Sequence, residues 1–253
     1  MKFVCVPRTH VGKVREHNED SWLAEPELGL FAVADGMGGH AAGEVASQEA
    51  VATLLDMVIS GRQVVDDFIA NPGQECLLRV GQLLERAVRA AAYSVFNLSQ
   101  VDPDRKGMGT TLSALLLAGG VAFVAHVGDS RIYILRGSNT RLLTRDHTFV
   151  NEMVRRGKLT VDEARRSRYA NMLMRAVGPN DFVEVDLGRY RFRQGDVFCI
   201  CSDGLSRYIR KSEQLLELLD PSELALSADR LIQHALDGGG RDNVTVLLVR
   251  VDP

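Results

Sequence analysis

The apolar residues of this chain fall mostly in short runs of strand length, several of them apolar at nearly every position. Residues 30–34 form one such run. Runs 112–118 and 121–127 are separated only by Gly119-Gly120, which predicts a hairpin. Further strands are expected over 131–135, 197–201 and 244–251. A run without polar alternation is covered on both faces, as in a layered sandwich with helices outside it. Helical periodicity appears in fewer, longer stretches. Residues 43–58 place Val45, Ala46, Ala50, Leu54 and Val58 on one side, and 75–96 repeat Leu77, Val80, Leu84, Val88 and Ala91. Pro221-Ser222-Glu223 opens a third helix, closed after 236 by Gly238-Gly239-Gly240. Residues 146–181 are rich in arginine and polar side chains, with Met153, Met172 and Met174 among them, and read as a short helical excursion or flap. Strands joined directly, with helices in separate blocks, predict an α+β sandwich of antiparallel sheets rather than a doubly wound parallel sheet.

No repeat, low-complexity tract or linker divides the 253 residues, so one domain over 1–253 is expected. A hydrophobic share of 45% and a charged share of 25% are ordinary for a globular chain. A net charge of −3 gives no reason to expect nucleic acid or an anionic membrane as partner. No apolar run approaches the ~20 residues of a membrane span, and the first residues are too soon broken by Pro7 for a secretory signal. With four cysteines besides, Cys199 and Cys201 sharing one face of an apolar run, a reducing, cytoplasmic setting is expected.

The candidate chemistry lies at the strand ends. Asp35, Asp129, Asp203 and Asp242 each stand within two residues of the end of an apolar run and beside or near a glycine; Asp20 directly precedes Ser21-Trp22-Leu23. A carboxylate there is held by a rigid strand yet is not sealed in the core, and a neighbouring glycine lets backbone and ligand come close. Two such charges ~4 Å apart repel by ~4 kcal/mol at an effective dielectric of ~20. If the strand ends converge, the cluster needs a cation. All-oxygen donors favour Mg²⁺, Mn²⁺ or Ca²⁺ over zinc. Taken singly, each aspartate reads as a turn former or helix cap.

Six segments occur in a telling order: Arg15-Glu16-His17-Asn18-Glu19-Asp20, Val33-Ala34-Asp35-Gly36-Met37-Gly38-Gly39-His40, Gly107-Met108-Gly109-Thr110-Thr111, Gly128-Asp129-Ser130-Arg131, Ser202-Asp203-Gly204-Leu205 and Arg241-Asp242-Asn243-Val244-Thr245. In this the chain resembles the bacterial PPM (protein phosphatase type 2C) phosphatases from about Thr9 to Val251. The resemblance implies a four-layer αββα sandwich with a flap over 146–181 near where protein substrates dock. It implies hydrolysis of phosphoserine and phosphothreonine by a water activated at a binuclear Mn²⁺ or Mg²⁺ centre, with a third, weaker ion. Asp35 would bridge two ions, Gly36 would offer its carbonyl, and Asp203 and Asp242 would hold the second ion with Asp20 beside them. Asp129 would belong to the third ion, and Arg15 would grip the substrate phosphate, a role a planar guanidinium suits. The partners implied are phosphorylated proteins and a cognate Ser/Thr kinase. A monomer is the default.

Two positions depart from the family's pattern. Met37 stands where some members have a histidine thought to protonate the leaving group, leaving His40 or water for that task. Arg207 stands where an aspartate associated with the third ion is common, so that site is expected to be impaired unless Arg207 points to solvent. A rival also exists: Cys201-Ser202-Asp203-Gly204-Leu205-Ser206-Arg207 fits C-x-x-G-x-x-R, the phosphate loop of cysteine-dependent phosphatases. Asp203 inside a phosphate cradle and an inward-facing Cys201 count against it.

Overall fold

The computed structural model describes residues 1–38 and 42–253. Its elements run β1 (Lys2–His10), β2 (Asp20–Glu25), β3 (Leu30–Met37), α1 (Ala42–Ser60), α2 (Arg62–Ala70), α3 (Gln74–Val101), β4 (Gly109–Thr110), β5 (Leu112–Ala118), β6 (Val121–Val127), β7 (Arg131–Arg136), β8 (Asn139–Leu142), α4 (Phe149–Arg155), α5 (Val161–Arg166), β9 (Asp186–Arg191), β10 (Val197–Cys201), α6 (Asp203–Ser206), α7 (Gln214–Leu218), α8 (Leu224–Asp237) and β11 (Val244–Asp252). One sheet has the order β1-β11-β10-β7-β8 and the other β2-β3-β5-β6-β9, with β4 on β3; every pairing is antiparallel.

The doubly apolar runs now have a cause. Along β3, Phe31 and Val33 face the other sheet while Leu30, Ala32 and Ala34 face α1 and α3. Along β10, Phe198 and Ile200 enter the space between the sheets, and Val197, Cys199 and Cys201 pack toward α8. Three apolar layers therefore lie between four layers of structure, and the αββα sandwich is as expected.

The structure adds elements that periodicity did not reveal. A third helix, α2, follows α1 and buries only Val65 and Phe68. Strand β1 pairs residue by residue with β11 along its whole length. Residues 146–181 contain two short helices, α4 and α5, in keeping with a helical excursion, and α5 opens on a capping box between Thr160 and Glu163. Among the described residues no helix is long and apolar enough to cross a membrane.

Antiparallel pairing brings particular strand ends to one rim of the sandwich. The start of β2 lies beside the end of β3, with Asp20 directly opposite Asp35. In the other sheet the start of β7 and the end of β10 meet at Arg131 and Cys201, and Cys201 pairs with Val246 near the start of β11. Gly204 closes this rim. A Cβ there would stand 1.8 Å from the Asn243 carbonyl oxygen, so only glycine lets α6 approach β11. Gly204→Ala is expected to destabilise the fold by about 3 kcal/mol or more, since backbone rather than a flexible side chain must yield. Urea midpoints of the two proteins check this, and an unchanged midpoint refutes the close approach.

Candidate active site

At that rim lies a cavity of ≈ 680 Å³, with Asp35, Asp129, Asp203, Asp242, Arg15 and Arg207 in its wall. Asp35 shares the face of Phe31 and Val33 and so points into the gap between the sheets. Asp20, opposite it, is a like-charge cross-strand pair, an arrangement that is destabilising unless a cation intervenes. Asp203 begins α6 just beyond β10, and Asp242 precedes β11 after the turn that ends α8. That turn needs glycines: Gly239 and Gly240 have φ of 131° and 54°.

Neutral groups hold these acids in place. The Asp35 amide donates to Thr111 Oγ1 at 3.0 Å, and the Gly36 amide donates to the Glu19 carbonyl at 3.1 Å. A Cβ on Gly36 would lie 2.1 Å from the Gly43 carbonyl, so β3 and the start of α1 touch only because Gly36 lacks one. Ser202 Oγ donates to Asp20 Oδ2 at 2.9 Å and accepts from the Thr245 amide at 3.0 Å. Asn243 Nδ2 donates to the carbonyls of Val11 and His17, and its Oδ1 accepts from the Glu19 amide, all at 2.9 Å. The loop bearing Arg15 is thereby tied to the start of β11.

Burial pushes the Asp20 carboxyl up to about 7, with Asp203 and Asp242 adding repulsion. Burial and then Asp20 and Asp203 raise Asp35 well above the usual carboxylate range. Asp129 is pushed up to about 8 by burial and then by Asp203 and Asp146. Burial also raises Asp203, against the opposing pull of Arg207. Carboxylates buried and clustered in this way are costly as anions unless protons or cations offset their charge.

Two guanidiniums face the acids. Arg15 grips Asp242 with both ends of its fork, Nε to Oδ1 at 2.8 Å and Nη2 to Oδ2 at 3.1 Å. Arg207 pairs with Asp203, the residue one helical turn before it, and reaches to 3.5 Å from Asp242. Among the described residues no three His, Cys, Asp or Glu side chains close on one point in a manner that would hold a metal ion. The donor set nonetheless fits a hard divalent cation. It consists of carboxylates and the Gly36 carbonyl, and the buried Asp20 Oδ1 has no hydrogen-bond partner.

The profile of the family described as "Protein phosphatase 2C" matches residues 9–238. The chain belongs to the protein phosphatase 2C family. It is 43% identical over 244 residues to the serine/threonine protein phosphatase PstP of Mycobacterium tuberculosis, a match covering 96% of this chain but 44% of that protein. The chain thus spans less than half the length of that relative. It is 36% identical to the serine/threonine phosphatase stp of Listeria monocytogenes, covering 97% of this chain and 94% of the relative. A crystal structure of M. tuberculosis PstP superimposes with a TM-score of 0.87 at 41% identity, covering 100% of each chain. A structure of the PstP catalytic domain in complex with two manganese ions superimposes with a TM-score of 0.83 at 40% identity, covering 100% of this chain and 99% of that one.

In this phosphatase 2C chain the residues expected from sequence come together as follows. Asp35, Gly36, Asp129, Asp203, Asp242 and Arg15 share one cavity wall, and Asp20 stands against Asp35 and Ser202 beside it. Arg15 pairs with Asp242, not with Glu16 or Glu19. Arg207 lines the cavity and pairs with Asp203 while remaining exposed to solvent. Met37 also lines the cavity, while His40 lies outside the described residues. Cys201 is fully buried on the α8 side of its sheet, away from the cavity, so the cysteine-phosphatase reading has no accessible nucleophile. Sequence reasoning gave no role to Thr111, Ser202 or Asn243, although all three sit inside the quoted motifs. Their function is to anchor backbone, and that appears only once the strands are paired.

The segment 146–181 adds Leu173, Met174 and Pro179 to the cavity wall, and Phe182 follows just beyond it. The segment is fastened at one end to the loop that carries Asp129 and at the other to β4, beside Thr111. The His147 amide donates to the Gly128 carbonyl at 2.7 Å, and Val177 exchanges two hydrogen bonds with Thr110, at 2.8 and 2.9 Å.

Proposed function

We propose that this chain hydrolyses phosphoserine and phosphothreonine on proteins, at a centre of two Mn²⁺ or Mg²⁺ ions, in opposition to a Ser/Thr kinase. The observation that supports this best is the meeting of Asp20, Asp35, Asp129, Asp203 and Asp242 from five strand ends at one cavity, beside an arginine. The PstP catalytic domain, similar along the whole chain, was solved with two manganese ions, which supports the same pair here.

Asp35 would serve both ions, with the Gly36 carbonyl offered to one of them, and Asp203 and Asp242, with Asp20 beside them, would hold the second. Two divalent ions bound there would supply positive charge to the phosphoryl oxygens and a water acidic enough to act as nucleophile near neutral pH. Arg15 orients the phosphate: its guanidinium forms a fork that matches two phosphate oxygens, and its side chain, 51% exposed, can leave Asp242 for the substrate. The donors and charges at the cavity wall are fixed by strands before substrate arrives, so little reorganisation accompanies charge build-up in the transition state. With Met37 lining the cavity and bearing no proton, we infer that water protonates the leaving serine or threonine oxygen. Arg207 directs its charge at Asp129 as well as Asp203, which favours two ions over three.

Hydrolysis of a phosphothreonine peptide and of a small aryl phosphate, with Mn²⁺ and then with excess EDTA, tests the reading. Activity is expected to fall to background in EDTA and to return with Mn²⁺. Cys201→Ser is expected to stay within about twofold of the parent. Full activity in EDTA, or its loss in Cys201→Ser, overturns the proposal.

A further inference from the structure

A second polar cleft lies behind the acid-lined cavity, on the far side of the Asp129–Arg131 and Arg207–Arg210 segments. It has a volume of ≈ 370 Å³, and its walls come from β7, the loop after β8, the flap helix α5 and the loop after α6. Five cations line it: Arg131, Arg145, Arg165, Arg210 and Lys211. Asp146 and Glu213 are the acids.

The pairings decide what charge is left over. Arg131 is neutralised by Asp146 through two hydrogen bonds at 2.9 and 2.6 Å. Arg145 is engaged with Asp186 at 3.0 Å. Arg165 meets no carboxylate and donates instead to the Arg210 carbonyl at 2.8 Å. That bond ties the flap to the loop after α6. The amides of Arg210 and Lys211 both donate to Gln214 Oε1, at 2.6 and 3.1 Å, which fixes the backbone that presents their side chains. Among the described residues neither Arg210, Lys211 nor Arg165 has an ion-pair partner, and Glu213 has none either. Three free cations thus face one free acid, in a chain whose overall charge is −3. An excess of held, unpaired cations in a concave site fits an anionic group.

We propose that this cleft is an accessory subsite for a second anionic side chain of the protein substrate, acidic or phosphorylated, near the residue being dephosphorylated. This rests on the phosphatase reading above. Chain connectivity sets the distance. Asp129 and Arg131 are two residues apart and Arg207 and Arg210 three, so the two sites lie within a reach of ~7–11 Å of backbone. An extended peptide advances ~3.3 Å per residue. That distance is about two to three residues, and side-chain reach extends it, so the second anion belongs two to four positions from the scissile phosphate. A multiply phosphorylated segment or an acid-flanked phosphothreonine meets this requirement, and an isolated phosphothreonine among neutral residues does not.

The test compares phosphothreonine peptides of equal length: one neutral, one with glutamates two to four positions before or after the phosphothreonine, and one with a second phosphothreonine there. A small aryl phosphate serves as a substrate too short to reach the cleft. For the parent protein with Mn²⁺, kcat/KM is expected to be about tenfold higher for the anionic peptides than for the neutral one, and the advantage is expected to shrink in high salt. The double variant Arg210→Glu, Lys211→Glu is expected to remove that advantage mainly through KM, leaving aryl phosphate hydrolysis within about twofold. A stronger effect on the doubly phosphorylated peptide than on the glutamate peptide identifies phosphate as the preferred anion, and equal effects identify charge alone. No preference in the parent protein, or a preference that survives the double variant, overturns the proposal while the phosphatase reading stands. Failure to hydrolyse any of the substrates sinks that reading itself.

Discussion

Asp35→Asn is expected to lower phosphopeptide turnover by about a thousandfold and, in the same protein stripped of metal, to raise the melting temperature. Both outcomes come from one charge. The carboxylate is the acid common to both halves of the proposed centre, and losing a fixed electrostatic group from such a site costs ~4 kcal/mol in the transition state. With chelator present that same carboxylate is a liability. It faces Asp20 across the β2–β3 pair and feels Asp203, Asp129 and Asp242. Among the described residues no side chain donates a hydrogen bond to it. Asparagine keeps the shape and removes the repulsion.

The sign with pH follows. Asp20 and Asp129 titrate near 7 and 8 in the folded chain but near ~4 when unfolded. The folded form retains protons that the unfolded form sheds, so stability in EDTA falls as pH rises from about 5 to about 8. Mn²⁺ should abolish that slope, and Asp35→Asn should flatten it. Thermal melts at pH 5 and 8, with and without metal, decide the matter. A variant that loses activity but also melts lower in EDTA shows that Asp35 is a structural group and not a paired charge.

Arg207→Gln is expected to tighten Mn²⁺ binding about tenfold. The guanidinium pairs with Asp203 and stands 3.5 Å from Asp242, and a divalent ion on those carboxylates must compete with it. The pair is only partly shielded, with side-chain exposures of 31% for Arg207 and 14% for Asp203. Its worth therefore lies between that of a surface pair and that of a sealed one. A tenfold change corresponds to ~1.4 kcal/mol. Calorimetric titration of chelator-stripped protein measures it directly. The variant without metal should melt lower than the parent and gain more from Mn²⁺, since a tighter ligand adds more stability by mass action. Equal or weaker binding rules out competition.

Much of this was legible in the residues. The hairpin of β5 and β6 was marked by Gly119-Gly120, and its strands span the runs as read. The runs that became β3 and β10 lacked alternation because helices cover one face and the opposite sheet the other. What escaped notice was edge structure. Helix α2 is only nine residues long, buries only Val65 and Phe68, and is supported by polar pairs such as Arg62 with Asp66 and Gln63 with Asp67. Strand β9 reads Asp-Leu-Gly-Arg-Tyr-Arg, charged as an exposed edge should be. Strand β1 contains Pro7, which an edge strand tolerates. In the site, each aspartate was visible at its strand end, but the opposition of Asp20 and Asp35 depends on register, which no single strand encodes. The place of Arg207 at the cavity depends on a four-residue helix, α6, too short to leave a periodic trace.

The partnership of β1 with β11 has a consequence for synthesis. By residue 191 a ribosome has delivered every strand of the β2–β9 sheet, which can then close on α1 and α3. The other sheet waits for β11, the strand that joins β1 to β10, so the face bearing Phe31, Leu115 and Val124 is covered only in part until that strand is added. The same order withholds Asp242 until Asp20, Asp35, Asp129 and Asp203 have been made, so the acid cluster assembles only as β11 joins its sheet.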